Sequence, residues 1–596
     1  MNQVQDSSRL SSIKSSLLED YFHLSREESE DIAAQLETVS LNGGQPLFHQ
    51  GDATDSMYLL VRGRLQVWSA DDTPVFIGEV SPGESVGEVG LITGETRSAD
   101  VFAVRNSILI KLMKADFEKL AAEHPAMVMQ LASVVAKRLH ENTTGIKSKN
   151  RPIPSIICIR PLDDTAAIYE LTEQLIAFLN ALGDVLTLSI EEMQKQTQPH
   201  WPKNETEPLS EDFQQWFSEQ EANYRFIVLV CHPRSSHWSE FAENQSDLIL
   251  LIAHATSPPT PRNFESSNKA TDHHIKHNVL VLQHVSHEIS GTADWLMHRS
   301  VDYHLHIRGN SQADLERVVR VVSGTANGLV LGGGAARGFA HIGVYRALQE
   351  AGIPIDWVGG TSIGAIMGVA ISLFEDGELV TQKVRDAFVN GKPFSDFTLP
   401  LVSILAGQRM NTLTQKFMPG NIEDLAIPFF AISSDISTGE VNVHESGPIW
   451  RATGASAALP GVLPPVIHKN SLAVDGAVLN NLPVDVMASK PVGTILASML
   501  TSKDDYEMSF EDVPSPWRIL LNRLLPADDD ASVPGLAALL FKATEVANRK
   551  RTNELAAAAD VLFQPPVQNF NLLSVDHFDQ VAEAGYDYAK DALTKP

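Results

Sequence analysis

Between residues 327 and 374 the sequence runs twice from an apolar strand, through glycine, into an apolar helix. The first passage is "GLVL", then "GGGAARG", then "FAHIGVYRALQEAG"; the second is "IDWVGG", then "TS", then "IGAIMGVAISLF". A short apolar strand that turns at once into a helix must be covered on both faces. This pattern restricts residues 326–596 to an α/β layer. Trp357–Phe374 is long and apolar enough to suggest a membrane span, but its glycines and its turn break it into a buried strand and a core helix. No transmembrane segment is expected.

The second turn reads Gly360-Thr361-Ser362-Ile363-Gly364, the G-x-S-x-G of a nucleophile elbow. A sharp strand-to-helix turn exposes the serine oxygen, and glycines on both sides leave it room. The first turn, residues 331–338, aims several backbone N–H groups at one place, where the following helix adds positive potential. It is not a P-loop, because Phe339 follows Gly338 where Lys is required. A dinucleotide loop would need an acidic residue at the end of the next strand, and Asp356 lies at its start. An oxyanion hole for Ser362 remains.

The base is open to two readings. In chain order a Ser362–Asp475–His577 triad is possible, although His577 stands at what reads as an ordinary helix start. Asp475, in "LAVDGAVLNNLPVDV", ends an apolar strand before Gly476; it either takes the serine proton directly or, as the residues taken alone favour, only caps the turn. His341, one turn into the first helix, reads as a packing residue.

Two further regions precede this one. Residues 152–310 contain five apolar runs, "SIICIR", "DVLTLSI", "RFIVLVC", "DLILLIA" and "NVLVLQ", with amphipathic helix patterns between some of them. They predict a parallel α/β layer without a Gly-rich phosphate loop. Residues 254–276 read as an exposed loop. Residues 22–145 alternate short Val-, Leu- and Phe-rich runs with glycine turns, which predicts a small antiparallel barrel closed by helices near 114–122 and 124–141. Ser25 and Glu28 form a capping-box pattern. Residues 1–21 form an N-terminal helical segment, with Leu10, Ile13, Leu17, Leu18 and Tyr21 at helical spacing for packing on the barrel.

Composition excludes some roles. The net charge of −28 argues against nucleic acid as a ligand. The two cysteines, Cys158 and Cys231, sit in apolar runs and read as reduced and buried, so neither a disulfide framework nor a metal site is expected.

"LVLGGGAARGFAHIGVYRALQEAGIPIDWVGGTSIGA", "ASAALPGVLPPV" and "VDGAVLNNLPVDV" together resemble the patatin-like phospholipase family. The resemblance covers about the last 270 residues. It implies a hydrolase domain with Ser362 as nucleophile, Asp475 as base in a dyad without histidine, and an oxyanion hole at Gly333, Gly334, Arg337 and Gly338. One departure stands out: the family has Gly where this chain has Ala335. The stretch "VGEVGLITGETRSADV" resembles the phosphate-binding cassette of cyclic-nucleotide-binding domains, with Thr96 in place of the usual Pro. That resemblance implies nucleotide contacts from Gly87, Glu88, Arg97 and Ser98, with cyclic AMP as allosteric ligand. An arginine fork suits a cyclic phosphate. The bland reading pairs Glu88 with Arg97 in a purely structural barrel.

The order of the regions is similar to neuropathy target esterase and its relatives, with one nucleotide domain in place of several. The resemblance implies an esterase acting on lysophospholipids or phospholipids, with no metal or organic cofactor needed for catalysis. The expected setting is the cytoplasm, with transient contact to a membrane surface. The rival reading is a non-catalytic cyclic-nucleotide sensor or scaffold.

Overall fold

The structure, a computed structural model, describes the chain except residues 1–13, 23, 70–75, 125–126, 130, 137–153, 164–165, 196–200, 222, 235, 262–276, 501–535, 571–574 and 595–596. Part of the expected N-terminal helix, of the 124–141 helix and of the 254–276 loop therefore lies outside the described residues. The chain divides into two compact units, residues 1–324 and 325–596.

The first unit begins with a helical turn over residues 14–22, whose Leu18 and Phe22 are buried with Met57, Ile110 and Phe117. Ser25 caps the helix Arg26–Gln35 by a complete capping box with Glu28. Two antiparallel four-stranded sheets follow. One joins Glu37–Leu41, Ser107–Met113, Ser56–Arg62 and Ser85–Val86; the other joins Pro46–Phe48, Asp100–Ala103, Leu65–Trp68 and Phe76–Val80. Apolar alternates of both sheets, among them Leu60, Leu65, Val101 and Leu109, fill the space between them.

The rest of this unit is a six-stranded parallel sheet: β1 (Ile156–Pro161), β2 (Val185–Leu188), β3 (Phe226–Val230), β4 (Leu248–His254), β5 (His277–His284) and β6 (Tyr303–Arg308). The spatial order is β2-β3-β1-β4-β5-β6. The five expected strands are present. The sixth, "YHLHIR", carries only two aliphatic residues, Leu305 and Ile307, and gives no apolar run to read. Order reverses between β1 and β4, where open α/β sheets commonly take ligands. There Asp163 accepts from the His254 N–H at 2.9 Å and the Ser257 hydroxyl at 2.8 Å, which ties the ends of β1 and β4 together. Cys158 and Cys231 are buried and unbridged, with sulfurs 3.7 Å apart.

Buried charge pins the barrel to this sheet. Arg105, just past the barrel strand Asp100–Ala103, lies 2.7 Å from Asp247 and 2.9 Å from Glu221. Arg64 approaches the same Asp247 at 3.7 Å, and His277 at the start of β5 lies 2.7 Å from barrel residue Glu79. Burial opposes charge on both Asp247 and His277. The two arginines nevertheless hold the Asp247 carboxyl below its ordinary range, and Asp302 and Glu79 raise His277 to about 9. Buried pairs of this kind are costly to break because the survivor is left unpaired.

The second unit is one mixed sheet: β7 (Asn327–Leu331), β8 (Trp357–Thr361), β9 (Phe429–Asp435), β10 (Glu440–His444), β11 (Val466–His468), β12 (Ser471–Asp475), β13 (Thr494–Ser498) and β14 (Val561–Phe563). The order is β11-β12-β9-β8-β7-β13-β14, with β10 also on β9. The central strands β9, β8, β7, β13 and β14 are parallel; β10, β11 and β12 run against their neighbours. The helices α1 (Ala340–Glu350), α2 (Ile363–Phe374) and α3 (Phe578–Thr594) share one core, in which Phe339 packs on Phe578. Helices α1 and α3 approach so closely that a Cβ on Gly343 would strike the Ala582 carbonyl, and one on Gly585 the Ala340 carbonyl. Among the described residues no helix is long and apolar enough to cross a membrane.

Candidate active site and nucleotide cassette

Register brings Ser362 and Asp475 together. Thr361 of β8 pairs with Ile432 of β9, so Ser362 follows at the level of Ser433. On the other side of β9, Ser433 pairs with Asp475 at the end of β12. Residues from β8 and β12 thus converge over one strand. The Ser362 hydroxyl donates to Asp475 Oδ2 at 2.7 Å, and the Ala477 N–H donates to Oδ1 at 2.9 Å. Ser362 is 8% exposed and Asp475 2%. That leaves the hydroxyl a narrow opening and the carboxylate none.

The turn at Ser362 is strained as an elbow must be, with φ 57° and ψ −124°; such backbone costs on the order of 1–3 kcal/mol and persists only where its surroundings enforce it. Those surroundings are backbone. A Cβ on Gly360 would meet the Gly364 carbonyl, and one on Gly364 the Leu331 carbonyl. The Ser362 N–H donates to Ser456 Oγ at 2.9 Å, which fixes the turn from a second side.

The glycine loop crosses above. Gly333 stands against Ser362: a Cβ there would lie 3.2 Å from Ser362 Cβ. Its own N–H is engaged with the Asn481 carbonyl at 3.2 Å. The Gly334 N–H has no acceptor among the described residues. The Arg337 N–H returns to the Gly334 carbonyl, and its guanidinium reaches away to the carbonyls of Gln568 and Phe570 at 2.6 and 3.0 Å. The Arg337 side chain therefore ties the loop to the C-terminal segment. Gly338 packs on Ile363, with no room for a side chain. Ala335 adopts φ 50°, the left-handed conformation that the family's glycine would hold freely.

His341 has a part that its sequence setting hides. It is fully buried, its Nε2 lies 2.8 Å from the Gly332 carbonyl, and its Nδ1 lies 2.8 Å from Ser498 Oγ. A carbonyl only accepts, so Nε2 carries the proton and Nδ1 accepts from the Ser498 hydroxyl. Burial pushes the ring down to about 4, against the Gly332 bond, which keeps it neutral. His341 thus anchors the root of the glycine loop to β13. No sequence signal marks this, since its partners lie far along the chain or in the backbone. His577 is exposed and its ring hydrogen-bonds its neighbour Gln580 at 3.1 Å, so the structure does not bring it to Ser362.

Burial raises Asp475 to about 6, against the hydrogen bonds from Ala477 and Ser362. A buried carboxyl whose proton affinity is raised this way changes charge nearer neutral pH than a free one.

In the first unit the cassette residues differ in burial. Gly87 takes the left-handed conformation, φ 84°, and opens the helix Glu88–Thr93, whose Glu88 is buried. Arg97 is buried too. It donates to the Gly87 carbonyl at 3.2 Å and to Ser56 Oγ at 3.4 Å, lies 4.1 Å over the Phe48 ring, and its Nε has no hydrogen-bond partner among the described residues. Burial lowers its proton affinity, partly offset by surrounding oxygens. Ser98 is exposed. The Glu88 carboxylate is among the charges that act on Arg97.

With this geometry in hand, family profiles match three parts of the chain: the cyclic nucleotide-binding domain over residues 38–124, the Neuropathy Target Esterase family P-loop like domain over 155–328, and the patatin-like phospholipase family over 329–488. Neuropathy target esterase sws of Drosophila melanogaster is 28% identical over 93% of this chain and 42% of its own length. Patatin-like phospholipase domain-containing protein 6 of Homo sapiens is 27% identical over 93% and 44%, and lysophospholipase NTE1 of Kluyveromyces lactis is 28% identical over 94% and 47%. The chain spans less than half the length of these curated relatives.

Replacing the buried acid tests its electrostatic setting without any substrate. Its folded affinity for protons, near 6, exceeds the unfolded value of about 3.9. The native state therefore holds the extra proton between those values, and stability falls as pH rises through that window and stays lower above it. Asp475→Asn removes the penalty. At pH 7.5 it should raise unfolding free energy by on the order of 3 kcal/mol, with the gain fading below pH ~4. Urea denaturation at both pH values reads this directly.

Proposed function

We propose that this chain, which carries a cyclic-nucleotide-binding domain, a P-loop-like domain of the neuropathy target esterase type and a patatin-like phospholipase domain, is a serine esterase that hydrolyses acyl esters of lysophospholipids and related phospholipids. The observation that carries this reading is the 2.7 Å hydrogen bond from Ser362 to a buried carboxylate beneath a glycine loop. In this reading Asp475 Oδ2 takes the hydroxyl proton as Ser362 Oγ attacks the ester carbonyl carbon. The resulting oxyanion lies toward the loop, where the Gly334 N–H is uncommitted. The Gly333 and Arg337 N–H groups, both engaged with carbonyls, contribute only by leaving them.

The protonated Asp475 then returns its proton to the departing alcohol oxygen, and the acyl group stays on Ser362. Water enters by the same sequence: its proton passes to Asp475, its oxygen attacks the acyl carbon, and the proton goes back to Ser362 as the acid leaves. Every step uses groups of this chain and water. The rival reading, a sensor with a disused hydrolase domain, leaves two costs unexplained. Neither the strained φ of Ser362 nor the burial of Asp475 serves a scaffold. The unbridged buried thiols fit a reducing compartment such as the cytoplasm.

The N-terminal domain is read as a receptor for a cyclic nucleotide, cyclic AMP first. The buried Arg97 would meet the phosphate and Glu88 the ribose. The charged junction at Asp247 makes the barrel and the parallel sheet a single mechanical piece, so a change in the cassette need not be lost in a slack linker.

Ser362→Ala and Asp475→Asn should each remove nearly all hydrolysis of a lysophospholipid, because the two act as one unit. His577→Ala should change it less than about threefold. The wild-type rate should rise with pH through about 6 as Asp475 loses its proton. A His577 variant as inactive as Ser362→Ala would restore the triad.

Calorimetry with cyclic AMP should give heat with the wild type and none with Arg97→Ala, and any effect on hydrolysis should correspond to a coupling of at most ~1–3 kcal/mol. No heat at millimolar nucleotide would make the barrel a structural module.

A further inference from the structure

Between the elbow helix and the acid strand lies a hairpin that the chemistry above leaves unused. Phe397 pairs with Leu405, the Thr398 N–H donates to the Ile404 carbonyl at 3.0 Å, and the Ala406 N–H donates to the Asp396 carbonyl at 2.8 Å. This is ordered backbone, not a loose loop. Its tip is "FTLPLV", residues 397–402, without a charge. Phe397, Leu399, Leu401 and Val402 are 75%, 72%, 84% and 66% exposed. Scattered apolar residues on a surface need no explanation, but four in six positions held out by a built hairpin do.

The foot of the hairpin is fastened to the catalytic segment. The Ile404 and Leu405 N–H groups donate to the carbonyls of Gly461 and Val462, each at 3.0 Å, and Leu405, Val462 and Leu463 share a small buried cluster. A few residues earlier on the same segment, the Ala458 carbonyl accepts the Asp475 N–H, and Ser456 Oγ accepts the Ser362 N–H. One stretch, 456–462, thus touches nucleophile, acid and hairpin. The residues flanking the hairpin also line a narrow apolar pocket: Phe388 and Pro393 before it, Met410, Leu413 and Phe417 after it, closed by Ile366 of α2. Phe388 stands on a π-helical turn, Asp386–Asn390, a distortion often found at functional sites.

We propose that residues 397–402 are a docking tip that seats the hydrolase unit on a zwitterionic lipid surface beside Ser362. The proposal rests on the esterase reading for its substrate class, and on the exposed tip for its geometry. Uncharged aliphatic and aromatic side chains on a rigid projection gain by entering the acyl boundary of a lipid layer. The net charge of −28 disfavours both an anionic surface and a second copy of the same chain. A choline-headgroup surface carries no such penalty. The thioether of Met410 gives the apolar pocket beside the hairpin an adaptable wall.

The full chain and the double variant Leu399→Asp/Leu401→Asp are to be compared by co-sedimentation with phosphatidylcholine vesicles. The exposed tip makes the variant's fold safe, and its melting curve checks this. The wild type should bind the vesicles, and the variant's bound fraction should fall by roughly tenfold or more. Hydrolysis of vesicle-borne lysophospholipid should fall with it, while p-nitrophenyl butyrate in solution is cleaved within about twofold of the wild-type rate. Equal sedimentation of the two proteins, or no binding by the wild type, overturns the proposal. So does a tip mutation that lowers the mass of the lipid-free protein in sedimentation velocity, since the tip would then cover another copy. If Ser362→Ala binds vesicles as the wild type does but no form of the chain cleaves any ester, the docking surface stands and the esterase reading falls.

Discussion

Asp475 is a carboxylate held out of water beside a single hydroxyl, and much of the second unit serves that contact. Burial alone would leave the acid protonated well above its ordinary range. Two hydrogen bonds, from Ala477 and Ser362, pull it back to about 6. The result is a group that is mostly charged at neutral pH yet holds a proton readily, which suits a general base. The antiparallel β12 brings Asp475 to Ser433 from the side of β9 opposite to β8. The glycines at 360, 364 and 476 let three backbones crowd around the contact: a Cβ on Gly476 would strike the Ile432 carbonyl.

The glycine loop is held from its root and from its far end. His341 fixes Gly332, Asn481 engages Gly333, and Arg337 anchors the turn to the C-terminal segment. These ties fix the path of the loop, and they leave the Gly334 N–H as its donor without an acceptor among the described residues. Ala335 in a left-handed conformation is an added strain of roughly 1 kcal/mol compared with glycine. Its place in a loop so firmly held shows that packing, and not local preference, sets the backbone there.

Much of this was legible because it is written locally. Strand, glycine and helix follow one another without interruption around residues 331 and 362, and the apolar runs of the parallel sheet are continuous. The register of Asp475 on β9 was not legible, because antiparallel pairing over forty-two residues, from Ser433 to Asp475, leaves no periodic trace. His341 reads as a helix-packing residue because both its partners are set by tertiary structure. Strand β6 was missed because its histidines interrupt the apolar pattern, and the close crossing of α1 and α3 because a single glycine on each helix carries it. The partners of the Arg337 guanidinium, the carbonyls of Gln568 and Phe570, lie more than two hundred residues along the chain and leave no trace beside the loop.

The central claim is that Ser362 is a nucleophile made reactive by Asp475. Reaction with a fluorophosphonate probe, followed by peptide mass mapping, tests it without any choice of lipid. The account predicts one adduct, on Ser362, formed faster as pH rises through about 6 and nearly abolished in Asp475→Asn. Labelling of Ser362 that is equally fast in Asp475→Asn, or no adduct at Ser362 in the wild type, would contradict it.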